Sequence, residues 1–428
     1  MFAVFRKFLA NTRGNTAVIF GLCAVPMTFL VGMGIDYGQA AMRGDQLNSA
    51  ADAAALAAVT TPMMASNDAA SIAAATRTFN AQASVINGVN YNASNLNVTA
   101  VDSVTTRTVT VSYQAASQNL FPNILGKTTI PLTGLSQAVG KSPPNIDFYL
   151  LLDSSPSMAI AATQSGITTM VNNTQSQGGC AFACHQSNPA PDNLGNPHGE
   201  DNYALARALG VTLRVDLLNQ AAQNLMTTAK TTETANNAVY RMATYSFDTG
   251  FSTLGTLTSN LSLAANEASN LAMLEVYSNN YLTSGNANND EDTNYDNAMS
   301  HINSIMPNPG NGTNAQGDKP QEVMFFVTDG VEDENVNGSR QQSVMDPGWC
   351  TTIKNRGIRI AVLYTTYYPL PTNSWYNTYI APIQSNIGPT LQSCASPGLY
   401  YEVSTGGDIS VALSSLFQTA VATAHLSQ

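Results

Sequence analysis

Apolar and polar positions alternate with three different periods along the chain. Residues 14–35 are uncharged and mostly apolar, running from Gly14 to Ile35 with Pro26 in the middle. A helix needs about 20 such residues to cross a bilayer, so 16–35 is read as a transmembrane helix. Arg6, Lys7 and Arg13 precede the run and Asp36 follows it. That asymmetry predicts a cytoplasmic N-terminus over 1–15 and a periplasmic or cell-surface remainder, a single-pass topology in a bacterial inner membrane. The alternative is a cleaved secretory signal. It wants a small-x-small cleavage site directly after the apolar run, and none stands there. Instead an alanine-rich helix continues over 36–60, with Ala41, Leu47, Ala51, Ala54 and Ala58 at near-helical spacing.

The stretch 61–140 reads as a small α+β module. A short helix is expected over 68–82, with Ala69, Ile72, Ala73 and Phe79 as its apolar side. A hairpin is expected over 96–115, where Val98, Ala100, Val109, Val111 and Tyr113 alternate with polar residues. Leu120 to Ala138 continues as loop and strand. The module contains neither His nor Cys. Lys141-Ser-Pro-Pro-Asn145 is a linker, because paired prolines stiffen the chain and block helix and sheet.

From Ile146 the pattern changes to short, nearly continuous apolar runs, the mark of strands covered on both faces. They begin at Ile146, Val239, Glu322, Gly357 and Leu399. Helices are expected near 203–230, 261–278, 295–306 and 409–425. This alternation predicts an α/β domain over 146–428 with a doubly wound, mostly parallel sheet. A Gly-, Asn- and Pro-rich insertion lies at about 172–202.

Composition narrows the partners. Charged residues make up 11% of the chain, against about 25% in an ordinary domain. Ser, Thr, Asn and Gln must supply the polar surface, which suits an exported protein. A net charge of −11 with no basic cluster argues against nucleic acid. Of five cysteines, Cys23 lies in the apolar run. The other four allow two disulfides in three connectivities, and sequence order favours Cys180–Cys184 and Cys350–Cys394.

In doubly wound sheets ligands bind at the carboxyl ends of the strands. The first strand of the domain ends in Asp153-Ser-Ser-Pro-Ser157, and the strand from Glu322 ends in Thr328-Asp329-Gly330. Between them Asp292-Thr293-Asn294-Tyr295-Asp296 opens a helix. Asp153, Ser155, Ser157, Thr293 and Asp329 would form an oxygen-only ligand set. Hard divalent cations want that set: Mg²⁺ first, or Mn²⁺ or Ca²⁺. The alternative is that Asp153 and Ser157 merely cap a helix.

Other motifs are weaker. Asp290, Asp292, Asn294 and Asp296 recur like an EF-hand loop, but Tyr295 stands where Gly is needed and His301 where Glu is needed. Glu332-Asp-Glu334 reads as a solvated acidic rim. Cys180-Ala-Phe-Ala-Cys184-His185 has one residue too many for haem attachment, and an oxidising compartment favours a disulfide there over zinc bound with His198. His185, His198, His301 and His425 have no triad context, so no enzyme is expected.

Two resemblances extend this reading. Arg13-Gly-Asn-Thr-Ala-Val-Ile-Phe20, Gly34-Ile-Asp-Tyr37 and Gln46-Leu-Asn-Ser-Ala-Ala-Asp-Ala-Ala-Ala-Leu-Ala57 resemble the N-terminus of TadE/TadG-like proteins of Tad (Flp) pilus assembly. Ile19 stands where a prepilin cleavage motif after Gly14 would have Glu, so an uncleaved anchor is expected. Residues 146–425 resemble a von Willebrand factor A domain, whose metal-ion-dependent adhesion site corresponds to Asp153, Ser155, Ser157, Thr293 and Asp329. The resemblance implies direct metal contacts from the two serines and Thr293, and direct or water-mediated contacts from the two aspartates. Pro156 departs from the usual Gly, and Glu291-Asp292 precede Thr293 in place of glycines. Together these imply a membrane-anchored pilus-assembly or adhesion protein. Its partner would be a protein supplying a carboxylate, with other pilus-assembly subunits near its anchor. The rival expectations are a structural envelope protein with a degenerate A-domain and a metal-dependent envelope hydrolase.

Overall fold

The computed structural model describes residues 15–424, apart from 65, 104–105, 123–125, 176–177, 181–201, 275–291, 315, 368, 371–372 and 405. The chain divides into two compact units, Met1–Ser142 and Pro143–Gln428.

In the first unit the apolar and alanine-rich runs form one helix, α1 (Asn15–Ala57). Val18, Phe20, Leu22, Val25 and Leu30 are 59–73% exposed. Such a bare apolar band is unfavourable in water, and the helix is long and apolar enough to cross a membrane. Farther along, Asp36, Ala40, Arg43, Leu47, Ala50, Ala51, Ala54 and Ala58 form the buried face. Ala41, expected on that face, is exposed. Two polar anchors set the face, and a hydrophobic pattern does not count them. The Asp36 carboxylate accepts from the Leu120 backbone at 2.7 Å. The Arg43 guanidinium donates to the Asn87 and Gln118 carbonyls and the Ser117 hydroxyl at 2.8–3.0 Å. Gly88, at φ +76°, makes room for it: a Cβ there would lie 2.1 Å from the guanidinium.

Helix α2 (Asp68–Ala83) buries Ser71, Ala75, Phe79 and Ala83. Of the expected apolar side only Phe79 is buried, because Ser71 turns inward to accept from Arg107 at 2.7 Å. Arg107 is itself ion-paired with Asp102. Strands β1 (Val89–Ser103), β2 (Thr106–Gln118) and β3 (Thr129–Lys141) form an antiparallel sheet in that order. Val98 pairs with Val111 and Ala100 with Val109. Val109, Val111 and Tyr113 join Phe79, Leu47 and the buried alanines in one core.

The second unit is built on six strands: β4 (Ile146–Asp153), β5 (Tyr240–Phe247), β6 (Phe251–Thr258), β7 (Gln321–Thr328), β10 (Arg359–Thr365) and β11 (Tyr400–Val403). Their order is β11-β10-β7-β4-β5-β6, parallel except for the edge strand β6. This is the doubly wound, mostly parallel sheet expected from the sequence. Phe148, Leu150 and Leu152 face one helical layer, which includes α3 (Gln164–Asn173), α4 (Asn202–Ala208), α5 (Arg214–Asn236), α6 (Leu261–Ala268) and α10 (Ile409–Ala422). Tyr149 and Leu151 face the other, with α7 (Tyr295–Ile305), α8 (Gly348–Asn355) and α9 (Gln384–Cys394). Cys350 and Cys394 join α8 to α9 by the expected disulfide. Cys180 is also disulfide-bonded, while Cys184, His185 and His198 lie outside the described residues.

Three expectations are corrected. The helix expected over 203–230 is two, broken between Ala208 and Arg214. The helix from 261 ends at Ala268. Glu332-Asp-Glu334 is no solvated rim. It lies in β8 (Val331–Val336), which pairs with β9 (Ser339–Val344) as a hairpin, and Glu332 and Asp333 are buried. Asn337-Gly338, both at positive φ, makes its turn, the dipeptide that such two-residue turns favour.

Candidate functional site

Chain order places the site before any side chain is considered. The chain runs from β4 outward to β5 and then returns to β7 on the other side of β4. The strand order therefore reverses between β4 and β7, the place where open α/β sheets bind ligands at their carboxyl ends. Asp153 is the last residue of β4, and Asp329 follows the last residue of β7.

Asp153 is fully buried. One carboxylate oxygen accepts from the Ser155 backbone N–H at 2.9 Å and from the Ser155 hydroxyl at 2.5 Å. The other accepts from the Thr328 hydroxyl at 2.6 Å. Ser155 and Ser157 hydroxyls lie 2.9 Å apart. The turn that follows, Pro156–Ala159, has Ser155 at its N-cap but no side-chain cap bond, so capping does not account for these residues. Asp329 is also fully buried. The Ser157 and Tyr367 hydroxyls are within bonding reach of it, yet its Oδ2 is buried with no hydrogen-bond partner.

The two buried carboxylates lie close enough for the charge of one to act on the other. Burial, and then the charge of Asp329, push the Asp153 carboxyl well above the usual carboxylate range. Burial likewise raises Asp329, against the opposing pull of Ser157, Arg214 and Tyr367. Arg214, the first residue of α5, is 3% exposed, and its guanidinium lies 5.7 Å from the centre of the Tyr367 ring. Tyr295, at the start of α7, shares a 2.6 Å hydrogen bond with Thr328.

Thr293 is buried and lines one small cleft with Ser157, Pro156, Asp292, Asp333, Arg340, Tyr367 and Trp375. Its backbone forms a bridge with Asp333 of β8. Asn294 caps α7, its side chain accepting from the Asn297 N–H at 2.8 Å, and Asp292 is ion-paired with Arg340. These roles are unlike those in a calcium-binding loop; Asp290 lies outside the described residues. His301 is exposed and stacks on Phe251. No His or Cys lines the cleft among the described residues, and no three His, Cys, Asp or Glu side chains gather as a metal cluster. Any cation here would depend on hydroxyl ligands. Arg214, Tyr367 and Arg340 were not legible in the sequence, because each arrives from a separate element with no local motif; Thr328 was read beside Asp329, but not its bond to Asp153. One signal could have found the hairpin that carries Arg340: the Asn337-Gly338 dipeptide at its turn.

Residues 14–77 match the Tad family model, Flp pilus-assembly TadE/G-like. No curated protein matches the chain. Among solved structures, the chain is similar to the conserved hypothetical protein BatB from Bacteroides thetaiotaomicron, with 14% identity over 65% of this chain and 100% of that one, TM-score 0.35. It is similar to the vWF domain of the type V pili tip protein Mfa5 from Porphyromonas gingivalis, with 9% identity over 66% and 96%, TM-score 0.34. It is also similar to the pilus adhesin SpaC from Lactobacillus rhamnosus GG, with 11% identity over 77% and 34%, TM-score 0.34. The chain thus spans about a third of that adhesin. At these TM-scores the structural likenesses carry nothing further.

Proposed function

We propose that this is a membrane-anchored envelope protein of Tad/Flp pilus assembly or adhesion, non-enzymatic, that grips a protein partner through a divalent cation held by Asp153, Ser155, Ser157, Thr293 and Asp329. The match over 14–77 supports the pilus association, and the apolar half of α1 supports the anchor, with the N-terminus cytoplasmic and the bulk of the chain periplasmic or at the cell surface. One observation carries the cation: two buried carboxylates lie within reach of each other's charge at the switch point, and Asp329 Oδ2 has no partner. An unpaired buried anion is costly, and a hard cation is the complement that hydroxyls and carboxylates best suit. Mg²⁺ is the first choice.

The roles divide by position. Ser155, Ser157 and Thr293 would hold the ion through their hydroxyls, while Asp153, tied up by Ser155 and Thr328, fixes the serine loop. Asp329 supplies charge at the unpartnered oxygen. When bound, the ion supplies a Lewis-acidic position that a carboxylate from a partner can complete. Among the described residues no histidine lines the cleft, which favours binding over hydrolysis.

The test uses the full chain in detergent, unfolded by heat with Mg²⁺ and with EDTA. At 100 times the dissociation constant, Mg²⁺ adds about 2.7 kcal/mol, a rise in Tm of about 5 °C for a unit of this size. Asp153→Ala removes the rise. Wild type indifferent to Mg²⁺, Mn²⁺ and Ca²⁺ would sink the cation and leave a structural envelope protein with a degenerate A-domain.

A further inference from the structure

We infer that Arg340 is a positioning residue for Thr293, resting on the cation reading above. Arg340 lies on β9, eleven residues beyond Asp329, yet its side chain lines the cleft with Thr293 and Ser157. Its Nε and Nη2 donate to the two carboxylate oxygens of Asp333 at 2.8 and 2.6 Å, and Nη2 also pairs with Asp292. The Arg340, Asp292 and Asp333 side chains are 13%, 6% and 9% exposed. Gln342 donates to Asp333 at 3.0 Å.

The two acids sit on either side of Thr293's backbone bond. The Asp292 and Thr293 N–H groups both donate to the Asp333 carbonyl, at 2.8 and 2.9 Å, and the Asp333 N–H donates back to the Thr293 carbonyl at 3.1 Å. One planar guanidinium thus locks the residue before Thr293 to the residue that Thr293 pairs with. A bidentate fork fixes direction as well as distance. The hairpin carrying it starts at Val331, two residues beyond Asp329. The same β8–β9 segment therefore ties the Thr293 loop to the Asp329 loop, the two ligand-bearing segments farthest in sequence from the serines.

Charge and position predict opposite signs, which makes the idea testable. A cationic side chain near a metal ion repels it, so removing that charge alone should tighten Mg²⁺ binding. If Arg340 acts by holding Thr293, removing it should weaken binding. Full-length wild type, Arg340→Gln and Arg340→Lys are titrated with Mg²⁺ by calorimetry in detergent. Amide hydrogen exchange at Asp292 and Thr293 is measured on the metal-free proteins. The expected result is a loss of affinity of about 10-fold or more in R340Q. R340K, which keeps the charge but not the fork, is also weakened, and exchange at the two amides accelerates in both. Equal or tighter binding in R340Q overturns the inference while leaving the cation site standing. So does wild-type behaviour of R340K, the deciding variant should R340Q fail to fold. Failure of wild type itself to bind any divalent ion overturns both readings, and this is read before either variant.

Discussion

The two ends of the central strands β4 and β7 carry matching acids in different company. At the carboxyl end stand Asp153 and Asp329, and at the amino end Asp147 and Glu322 sit opposite one another in register. All four are buried. At the amino end a cation is built in: Arg241, the neighbour of Asp147 on β5, donates to both its oxygens at 2.7 and 2.5 Å. Burial, and next the charge of Asp147, push Glu322 up to about 8, so it holds its proton at neutral pH. The amino end is thereby neutral without help. At the carboxyl end the buried Arg214 acts on Asp329 through its charge, Asp153 is held by hydroxyls, and hydroxyls line the gap. The lesson is that acids alone do not mark a metal site. On the proposed reading, the same pair is closed by a bidentate guanidinium at one end and completed by an external cation at the other.

The sharpest break of this contrast is Asp329→Asn. It should abolish the Mg²⁺-dependent rise in Tm. Without metal it should do the reverse of a usual core polar substitution. Removing one of two neighbouring buried charges relieves repulsion, so EDTA-treated D329N is expected to be more stable than EDTA-treated wild type by about 1 kcal/mol. Denaturant unfolding of both proteins in EDTA measures this. A variant that keeps the Mg²⁺ response, or that is destabilised when metal-free, removes the distinction between the two ends.

Much of the carboxyl end was legible because its first motif is local. Asp153, Ser155 and Ser157 lie within one turn, and a continuous apolar strand leads into them, so spacing and position could be read together. Asp329 was legible for the same reason. Thr293 was read from its place at the start of a helix and from the resemblance, while the contacts that hold it were hidden. The β8–β9 hairpin is made of Glu, Asp, Arg and Gln, and a reading keyed to hydrophobic runs passes over a polar ribbon even when it is buried. Edge strand β6 escaped likewise: its apolar residues are broken by Ser, Thr and Gly, and it is only half-buried. Faces were misread where a polar side chain was the anchor, as with Arg43 on α1 and Ser71 on α2. Burial of a polar group follows its hydrogen bonds, and these come from elements distant in sequence.

A second test sharpens the amino end through pH. Glu322 binds its proton more tightly folded, at about 8, than at its ordinary 4.5. Between those values the folded chain holds a proton that the unfolded chain has released. Stability therefore falls as pH rises through that window and levels off above it, by on the order of 5 kcal/mol in total. Measured at saturating Mg²⁺, so that the carboxyl end is held fixed, the slope should persist in wild type and flatten in Glu322→Gln. A slope unchanged by E322Q would place the buried proton elsewhere.

A third test asks whether the amino end is closed from within. Arg241→Met leaves Asp147 buried without its cation. Arg241 is itself 40% exposed and part of its pairing is screened, so the cost is set at about 2 kcal/mol, below that of breaking a fully buried pair. The double variant D147N/R241M should regain most of that loss, since no unpaired charge is left behind. Mg²⁺ affinity should not move in either protein. Six strand residues at about 3.3 Å each separate Asp147 from Asp153, roughly 20 Å, which exceeds the screening length of about 8 Å in physiological salt. A change in Mg²⁺ affinity on removing Arg241 would mean that the two ends share charge through the sheet, and that the built-in cation helps to set the affinity for the external one.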